Sequence, residues 1–363
     1  MTDPAQIRTV LEQYIDPYLR QSLAEAGALR ELRIDKQGIV ATIVLGIPIA
    51  GYEEQFRLAL LAHLAAHGHA DLPLVLTLQS AIVAHSVQRS LKPLPGVSNI
   101  VAVASGKGGV GKSTVAVNLA LAWAAGGARV GILDADIYGP SQPLMLGLEG
   151  QRPTAPDGKH LVPLSSHGLK AMSIGFLVDA TQALVWRGPM VTQALSQLMS
   201  DTSWGELDYL VVDMPPGTGD IQLTLSQKVP VAGAIIVTTP QDIALADARK
   251  GLAMFEKVSV PVLGVVENMS LHVCGSCGHV EHIFGEGGGA RMAAEYGVQL
   301  LGELPLDARI RAEADGGRPS VIAAPGSQRA RAYIEMARHA AGALARRGRD
   351  RSALFPQIVV EES

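Results

Sequence analysis

The chain lacks the features that would place it outside a reducing, aqueous compartment. It has only two cysteines in 363 residues, Cys274 and Cys277, too few for a disulfide framework. No apolar stretch approaches the roughly 20 residues that a membrane-spanning helix needs. The first residues, Met1-Thr2-Asp3-Pro4, do not show the basic-then-apolar layout of a secretory leader. An excess of one charge is missing too. Thirty Lys and Arg stand against 34 Asp and Glu, a net charge near −4, which argues against a surface built to coat nucleic acid. There is no internal repeat and no low-complexity tract. With 48% apolar residues the chain is globular rather than disordered, and it is long enough for about two domains. The expected compartment is the cytoplasm, with neither a membrane nor a nucleic-acid partner.

Two blocks are present. Residues 1–85 read as a small α+β domain. Ile7, Val10, Leu11, Tyr14 and Tyr18 recur at helical spacing, and two strands follow at 29–34 and 39–45. A helix over 53–67 and a strand over 74–78 complete the unit. Residues 86–98 form a linker, because Pro93 and Pro95 oppose a helix. From residue 99 to 348 apolar strands at 100–104, 129–133, 209–212, 234–237, 262–266 and 299–301 alternate with helices. Near-continuous Val/Ile/Leu runs of this kind mark a mostly parallel sheet covered by helices on both faces, an α/β architecture. A helix over 327–348 ends in Arg346, Arg347, Arg349 and Arg351, read as basic residues on a solvated face; residues 349–363 are a tail.

Between the first strand of the larger block and the next helix lies Gly106-Lys107-Gly108-Gly109-Val110-Gly111-Lys112-Ser113-Thr114. This is the Gly-x-x-x-x-Gly-Lys-Ser pattern, in which backbone N–H groups wrap an anionic phosphate chain. Lys112 reaches the terminal phosphates and the Ser113 hydroxyl faces magnesium. Such α/β sheets bind ligands beyond the carboxyl ends of their strands, where this loop sits. Asp213 ends an apolar strand, suits the magnesium hydration shell, and precedes a Gly/Pro-rich turn at 214–220 fit for a nucleotide-sensing switch. Asp134 and Asp136 leave another strand together. Asp136 could orient or deprotonate an attacking water, and Asp134 is read as a magnesium or lysine partner.

These segments resemble the deviant Walker A ATPases of the MinD/ParA superfamily and, within it, the Mrp/ApbC family of iron–sulfur cluster carriers. The resemblance runs over residues 100–322 and rests on eight segments in order. They are the glycine-rich loop at 106–114, Leu-Asp-Ala-Asp-Ile-Tyr-Gly-Pro-Ser at 133–141, Met-Ser-Ile-Gly-Phe-Leu at 172–177 and Trp-Arg-Gly-Pro-Met at 186–190. Val-Asp-Met-Pro-Pro-Gly-Thr-Gly-Asp at 212–220, Thr-Thr-Pro-Gln-Asp at 238–242, Glu-Asn-Met-Ser at 267–270 and the Cys-x-x-Cys complete them. The resemblance implies a P-loop NTPase fold, ATP and magnesium as ligands, slow switch-type hydrolysis, and a homodimer whose Lys107 crosses to the partner's nucleotide. It also implies that Asp136 handles the attacking water and that Asn268 contacts the base; as bare sequence, Asn268 could equally cap the end of its strand. Arg187 could line a partner-facing surface or form a structural ion pair.

The cysteine pair sits in His272-Val273-Cys274-Gly275-Ser276-Cys277-Gly278-His279, with His282 beyond. A cubane cluster takes four thiolates, so two copies of the chain would supply one bridging [4Fe–4S] cluster; the resemblance implies the same arrangement, with apo iron–sulfur proteins as acceptors. Zinc held by the two cysteines with His279 or His282 is the competing reading, and an unmetallated redox dithiol the third. The whole-protein alternatives are a positioning ATPase on DNA or membrane and a zinc-binding ATPase chaperone. His63, His67 and His69 lack a supporting carboxylate and read as partly exposed helix residues. Asp16-Pro17 fits the family pattern, whereas the turn at 47–52 has no cysteine where relatives often carry a Thr/Cys-Pro turn. That departure argues against cluster ligation by the small domain's own thiolates.

Overall fold

The computed structural model describes residues 3–36, 38–70, 72–88, 91–177 and 188–349. Trp186, Arg187 and the tail beyond residue 349 lie outside this set. The leading unit contains α1 (Pro4–Gln13), β1 (Ile15–Asp16), β2 (Gln21–Ser22), β3 (Leu29–Asp35), β4 (Gly38–Leu45), α2 (Glu53–Ala66) and β5 (Leu74–Ser80). The larger part begins with β6 (Ile100–Ala104), α3 (Lys112–Ala125), β7 (Val130–Asp134), α4 (Gln142–Met145), β8 (Leu164–Ser166), β9 (Leu169–Ser173) and α5 (Gly188–Ser200). It continues with β10 (Tyr209–Asp213), α6 (Asp220–Lys228), β11 (Gly233–Thr238), α7 (Asp242–Lys257), β12 (Val262–Val273) and β13 (Val280–Glu281). The chain closes with α8 (Gly288–Glu295), β14 (Gln299–Pro305), α9 (Ala308–Asp315), α10 (Ser320–Ala323) and α11 (Gln328–Ala345).

In the larger part the strand order is β9-β7-β10-β6-β11-β12-β14, all parallel, with β8 antiparallel on β9 and β13 antiparallel on the far end of β12. β6, β7, β10 and β11 are buried along their whole length, as strands covered on both faces must be. From β6 the chain crosses first to β7 and later to β11 on the other side of β6, so the loop after β6 opens where the winding reverses. Trp123 of α3 stacks on Tyr209 at 4.2 Å between centroids and donates through Nε1 to the Ala337 carbonyl at 2.8 Å, tying α3 to α11 and the sheet.

The first helix is shorter than the apolar spacing to Tyr18 suggests. It stops at Gln13 because Pro17 disfavours helix in the residue before it and Asp16 is already committed. The Asp16 carboxylate is fully buried and accepts from the backbone N–H of Tyr18 and Leu19 and from the Tyr52 hydroxyl, at 2.9, 2.8 and 2.7 Å. β12 runs seven residues past the expected end at 266, reaching Val273, and its register shifts between Glu267 and Leu271. β8, β9 and β13 are strands that the apolar patterning did not pick out.

The small unit is fastened to the end of α11. Gly342 allows this, since a Cβ there would lie 2.1 Å from the Tyr18 carbonyl oxygen. Arg346 donates to the carbonyls of Tyr18 and Leu19 and to Gln299 Oε1, at 3.3, 2.8 and 3.1 Å. It is therefore a half-buried clamp and not part of a solvated basic face. Tyr18 donates its hydroxyl to Glu335 at 2.7 Å, and the Arg338 guanidinium lies 5.0 Å from the Tyr52 ring centroid. Within the segment 86–98, the buried Gln88 amide donates to the Ser226 and Val229 carbonyls and accepts from Val231 N–H.

Candidate functional site

The loop after β6 carries out the turn its glycines predict. Gly109 and Gly111 take φ of 82° and 81°, the left-handed region. At Gly111 a Cβ would also strike Asn268 Nδ2 at 2.2 Å, so space and conformation exclude any side chain there. Gly111 is the residue before α3 and offers no capping side chain. The first N–H groups of α3 are thus left for an anion, with the helix dipole reinforcing them. These groups open on a cleft of about 250 Å³. Lys107, Gly108, Gly109, Gly111, Lys112, Ser113, Thr114 and Asp136 line it. Val110 and Gly106 do not. Val110 is buried, and Gly106 packs its Cα face onto the backbone of Asp247.

Lys112, 6% exposed, ion-pairs with the fully buried Asp213. Its Nζ also lies 3.3 Å from Ser113 Oγ. The second Asp213 oxygen accepts from Gln142 Nε2 at 2.9 Å, and the same Nε2 reaches the Ser113 carbonyl at 3.2 Å. Gln142 therefore joins the glycine-rich loop, the carboxylate at the end of β10 and the start of α4. No spacing rule flagged it, because its role is set by where α4 begins and not by a motif.

Asp134 does not pair directly with Lys112, the lysine half of its expected role. Lys112 pairs with Asp213 instead, and Asp134 accepts from the backbone N–H of Asp136, Ser141 and Gln142 at 3.1, 3.0 and 3.0 Å, and from Ser173 Oγ at 3.3 Å. It shapes the loop 135–142 from inside. Burial, together with the charge of its cross-strand neighbour Asp213, pushes its pKa up to about 7. Asp136, half-buried, reaches the cleft. Burial raises its pKa while the Lys112 charge opposes the rise.

Asn268 lies inside β12 and not after a strand. Its side-chain amide, 5% exposed, donates to the Val110 carbonyl at 2.9 Å. It braces the glycine-rich loop from β12, two strands away from β6 in the sheet. Six residues further along β12 comes Cys274, at the start of a turn closed by Gly278 N–H to the Cys274 carbonyl and Cys274 N–H to the His279 carbonyl, both 2.9 Å. Both thiols are free, with Cys274 half-buried and Cys277 exposed. Backbone N–H groups of Cys277 and Ser276 directed at the sulfur hold the Cys274 pKa below its ordinary value, with the Cys277 thiol adding to this. Val273, Val280 and Ile283 stand exposed around the turn.

Two nearby imidazoles each place Nδ1 on a backbone carbonyl. His282 Nδ1 pairs with the Ser270 carbonyl at 2.8 Å and His272 Nδ1 with the Leu306 carbonyl at 3.0 Å. Among the described residues, no three or more His, Cys, Asp or Glu side chains gather as a metal site. The pair His63/His67 is likewise occupied, with ring nitrogens on the carbonyls of Val10 and His63.

A family model described as ParA, NUBPL iron-transfer P-loop NTPase, matches residues 96–341. The chain is 51% identical over 333 residues to an iron–sulfur cluster carrier protein of Haemophilus influenzae, covering 92% of this chain and 90% of the relative. It is 63% identical over 257 residues to an iron–sulfur cluster carrier protein of Pseudomonas fragi, covering 70% and 90%. Among solved structures, a nucleotide-binding protein of Archaeoglobus fulgidus in complex with ADP superposes with a TM-score of 0.56 at 40% identity, covering 62% of this chain and 88% of that one. The loop, its carboxylates and these matches agree: the chain belongs to the ParA/NUBPL iron-transfer family of P-loop NTPases.

Proposed function

We propose that this chain is a slow, switch-type ATPase, active as a homodimer in the cytoplasm, that carries a [4Fe–4S] cluster to apo-proteins. The cluster is the cargo, held between Cys274 and Cys277 of two copies. We assign residues 1–85 to a small α+β domain of the iron–sulfur-assembly type, 86–98 to the linker, 99–348 to the ATPase and 349–363 to a tail. One observation carries the reading. β12 links the two sites in one strand, with Asn268 bracing the Val110 carbonyl and two free thiols at its far end.

The nucleotide-side roles follow from the residues. Backbone N–H groups of 108–114 hold the phosphates, and Asn268, which resembles a base-contacting residue, also fixes the loop. The donors beside the cleft are hard oxygens, the Ser113 hydroxyl and the Asp213 carboxylate, which suits magnesium and not a soft metal. Ser113 would hold that ion directly and Asp213 through water; when bound, it neutralises charge on the phosphate oxygens. For this Lys112 leaves Asp213 and turns to the terminal phosphate. Asp136 positions the attacking water, and Lys107, from the partner copy, offsets developing charge. A shift of the glycine-rich loop would then reach the thiol turn along β12.

The low Cys274 pKa favours thiolate, the form that binds a cluster. Zinc at the same cysteines is the competing reading, and among the described residues no third His, Cys, Asp or Glu gathers with them as a metal site. For attachment to a membrane, α11 would have to present an apolar face; its Tyr333, Met336, Ala340 and Leu344 are buried instead. No helix among the described residues is long and apolar enough to cross a membrane. The test is anaerobic reconstitution followed by transfer to an apo-protein. One cubane per two chains is expected, with its broad visible absorption lost in Cys274→Ala and transfer lost in Lys112→Ala. A strictly monomeric protein holding a full complement of iron and sulfide would refute the bridging arrangement.

A further inference from the structure

The seam between the small unit and the end of α11 holds a pocket of about 100 Å³, open to solvent on one side and remote from the glycine-rich loop. The small unit contributes Gln21 and Arg30, the segment after β5 contributes His85, and the end of α11 contributes Arg349. Among the described residues no carboxylate lines it. Among the described residues, Arg30 and Arg349 have no ion-pair partner. Arg30 and Arg349, both exposed, thus border one small pocket, and no carboxylate among the described residues balances their charge there.

The third group is His85, only 3% exposed. Its tautomer follows from its neighbour. The Asn99 amide donates through Nδ2 to the Val83 and Asp208 carbonyls, at 2.9 and 3.2 Å, which fixes Oδ1 towards His85. There Oδ1 accepts from both the backbone N–H and Nδ1 of His85, at 3.1 and 2.9 Å. Nδ1 therefore carries the proton, and Nε2 is left buried with no partner in hydrogen-bonding geometry. A second proton on Nε2 would make it a donor, but burial and the charges of Arg349 and Arg347 oppose that proton, while the Asn99 oxygen and the Ala345 carbonyl favour it. An anion in the cavity removes the opposition. It balances both guanidinium groups and offers a protonated Nε2 a charged acceptor in addition to the Ala345 carbonyl.

The geometry points to a phosphate-binding site in this cavity, with Arg30, Arg349 and His85 as the donors to a single phosphate group. A pocket of about 100 Å³ has room for a tetrahedral oxyanion. Because the donors come from the small unit, the segment after it and the end of α11, the bound phosphate fastens the small unit to the ATPase part. The site is independent of the cluster-carrier reading.

The test uses the full chain saturated with Mg–ADP, so that the glycine-rich loop is filled. Inorganic phosphate and glycerol 3-phosphate are titrated separately by calorimetry at constant ionic strength, and the melting temperature is followed in parallel. One saturable site per chain is expected, with a rise in melting temperature. Arg30→Gln and Arg349→Gln, both at exposed positions, should each weaken binding about tenfold, the size of one charge-assisted hydrogen bond, and leave ADP affinity unchanged. Binding of both ligands would identify the head group alone as the determinant; binding of inorganic phosphate only would identify the free ion. The absence of saturable binding by either ligand, or unchanged affinity in both variants, would overturn the assignment.

Discussion

Replacing Asn268 by alanine separates two roles for one side chain. Family resemblance casts Asn268 as a contact to the nucleotide base, whereas its amide donates to the Val110 carbonyl within the phosphate loop, at 2.9 Å and out of water. Removing the amide loses a hydrogen bond and leaves a buried carbonyl without a partner, a cost of about 1–3 kcal/mol. The loop can recover part of this by relaxing, so about 1–2 kcal/mol of lost pre-organisation should reach the binding equilibrium. At 1.4 kcal/mol per factor of ten, affinity falls roughly 5- to 30-fold. Mg–ADP and Mg–pyrophosphate, titrated separately by calorimetry, distinguish the two roles because pyrophosphate has no base. The brace predicts similar losses for both ligands. If Asn268→Ala weakens ADP and leaves pyrophosphate unchanged, the brace contributes nothing and the reasoning is wrong.

Four further outcomes are expected. Lys112→Ala should destabilise the fold by about 3–5 kcal/mol in urea, because it strands the buried Asp213 charge; a loss below 1 kcal/mol would mean that the ion pair contributes little to the fold. Asp134 has a folded-state pKa of about 7, above its unfolded value of about 3.9. The folded state therefore binds the extra proton, and the contribution is present below about pH 4 and is lost as pH rises towards 7, by up to about 1.4 kcal/mol per unit. Urea midpoints between pH 5 and 7 should show that slope, and Asp134→Asn should flatten it. Iodoacetamide labelling of Cys274 against pH should reach half its maximal rate below the ~8.5 of an ordinary thiol; a midpoint at or above that value would remove the backbone N–H effect. Arg346→Ala deletes bonds to two carbonyls of the small unit, so hydrogen exchange should rise selectively at Tyr18 and Leu19, and uniform loss of protection would count against a local clamp.

The sequence by itself determined the parts whose signal is local. The glycine-rich loop was legible because Gly109 and Gly111 need backbone torsions that few other residues tolerate. The central strands were legible because burial on both faces demands unbroken apolar runs, as in β6, β10 and β11. The cysteine pair stood out because the chain has no other thiol. Tertiary structure alone decided which groups meet across the sheet. Parallel register set Asp134 beside Asp213, and their mutual repulsion, with the start of α4, assigned Lys112 and Gln142 to Asp213 and three backbone N–H groups to Asp134. β12 brought Asn268 under Val110, and Gly342 let the Tyr18 backbone close on α11. Such pairings link residues up to 328 positions apart. Local propensity extends over a few residues and carries no information about them, because they are fixed only when the packed layers come together.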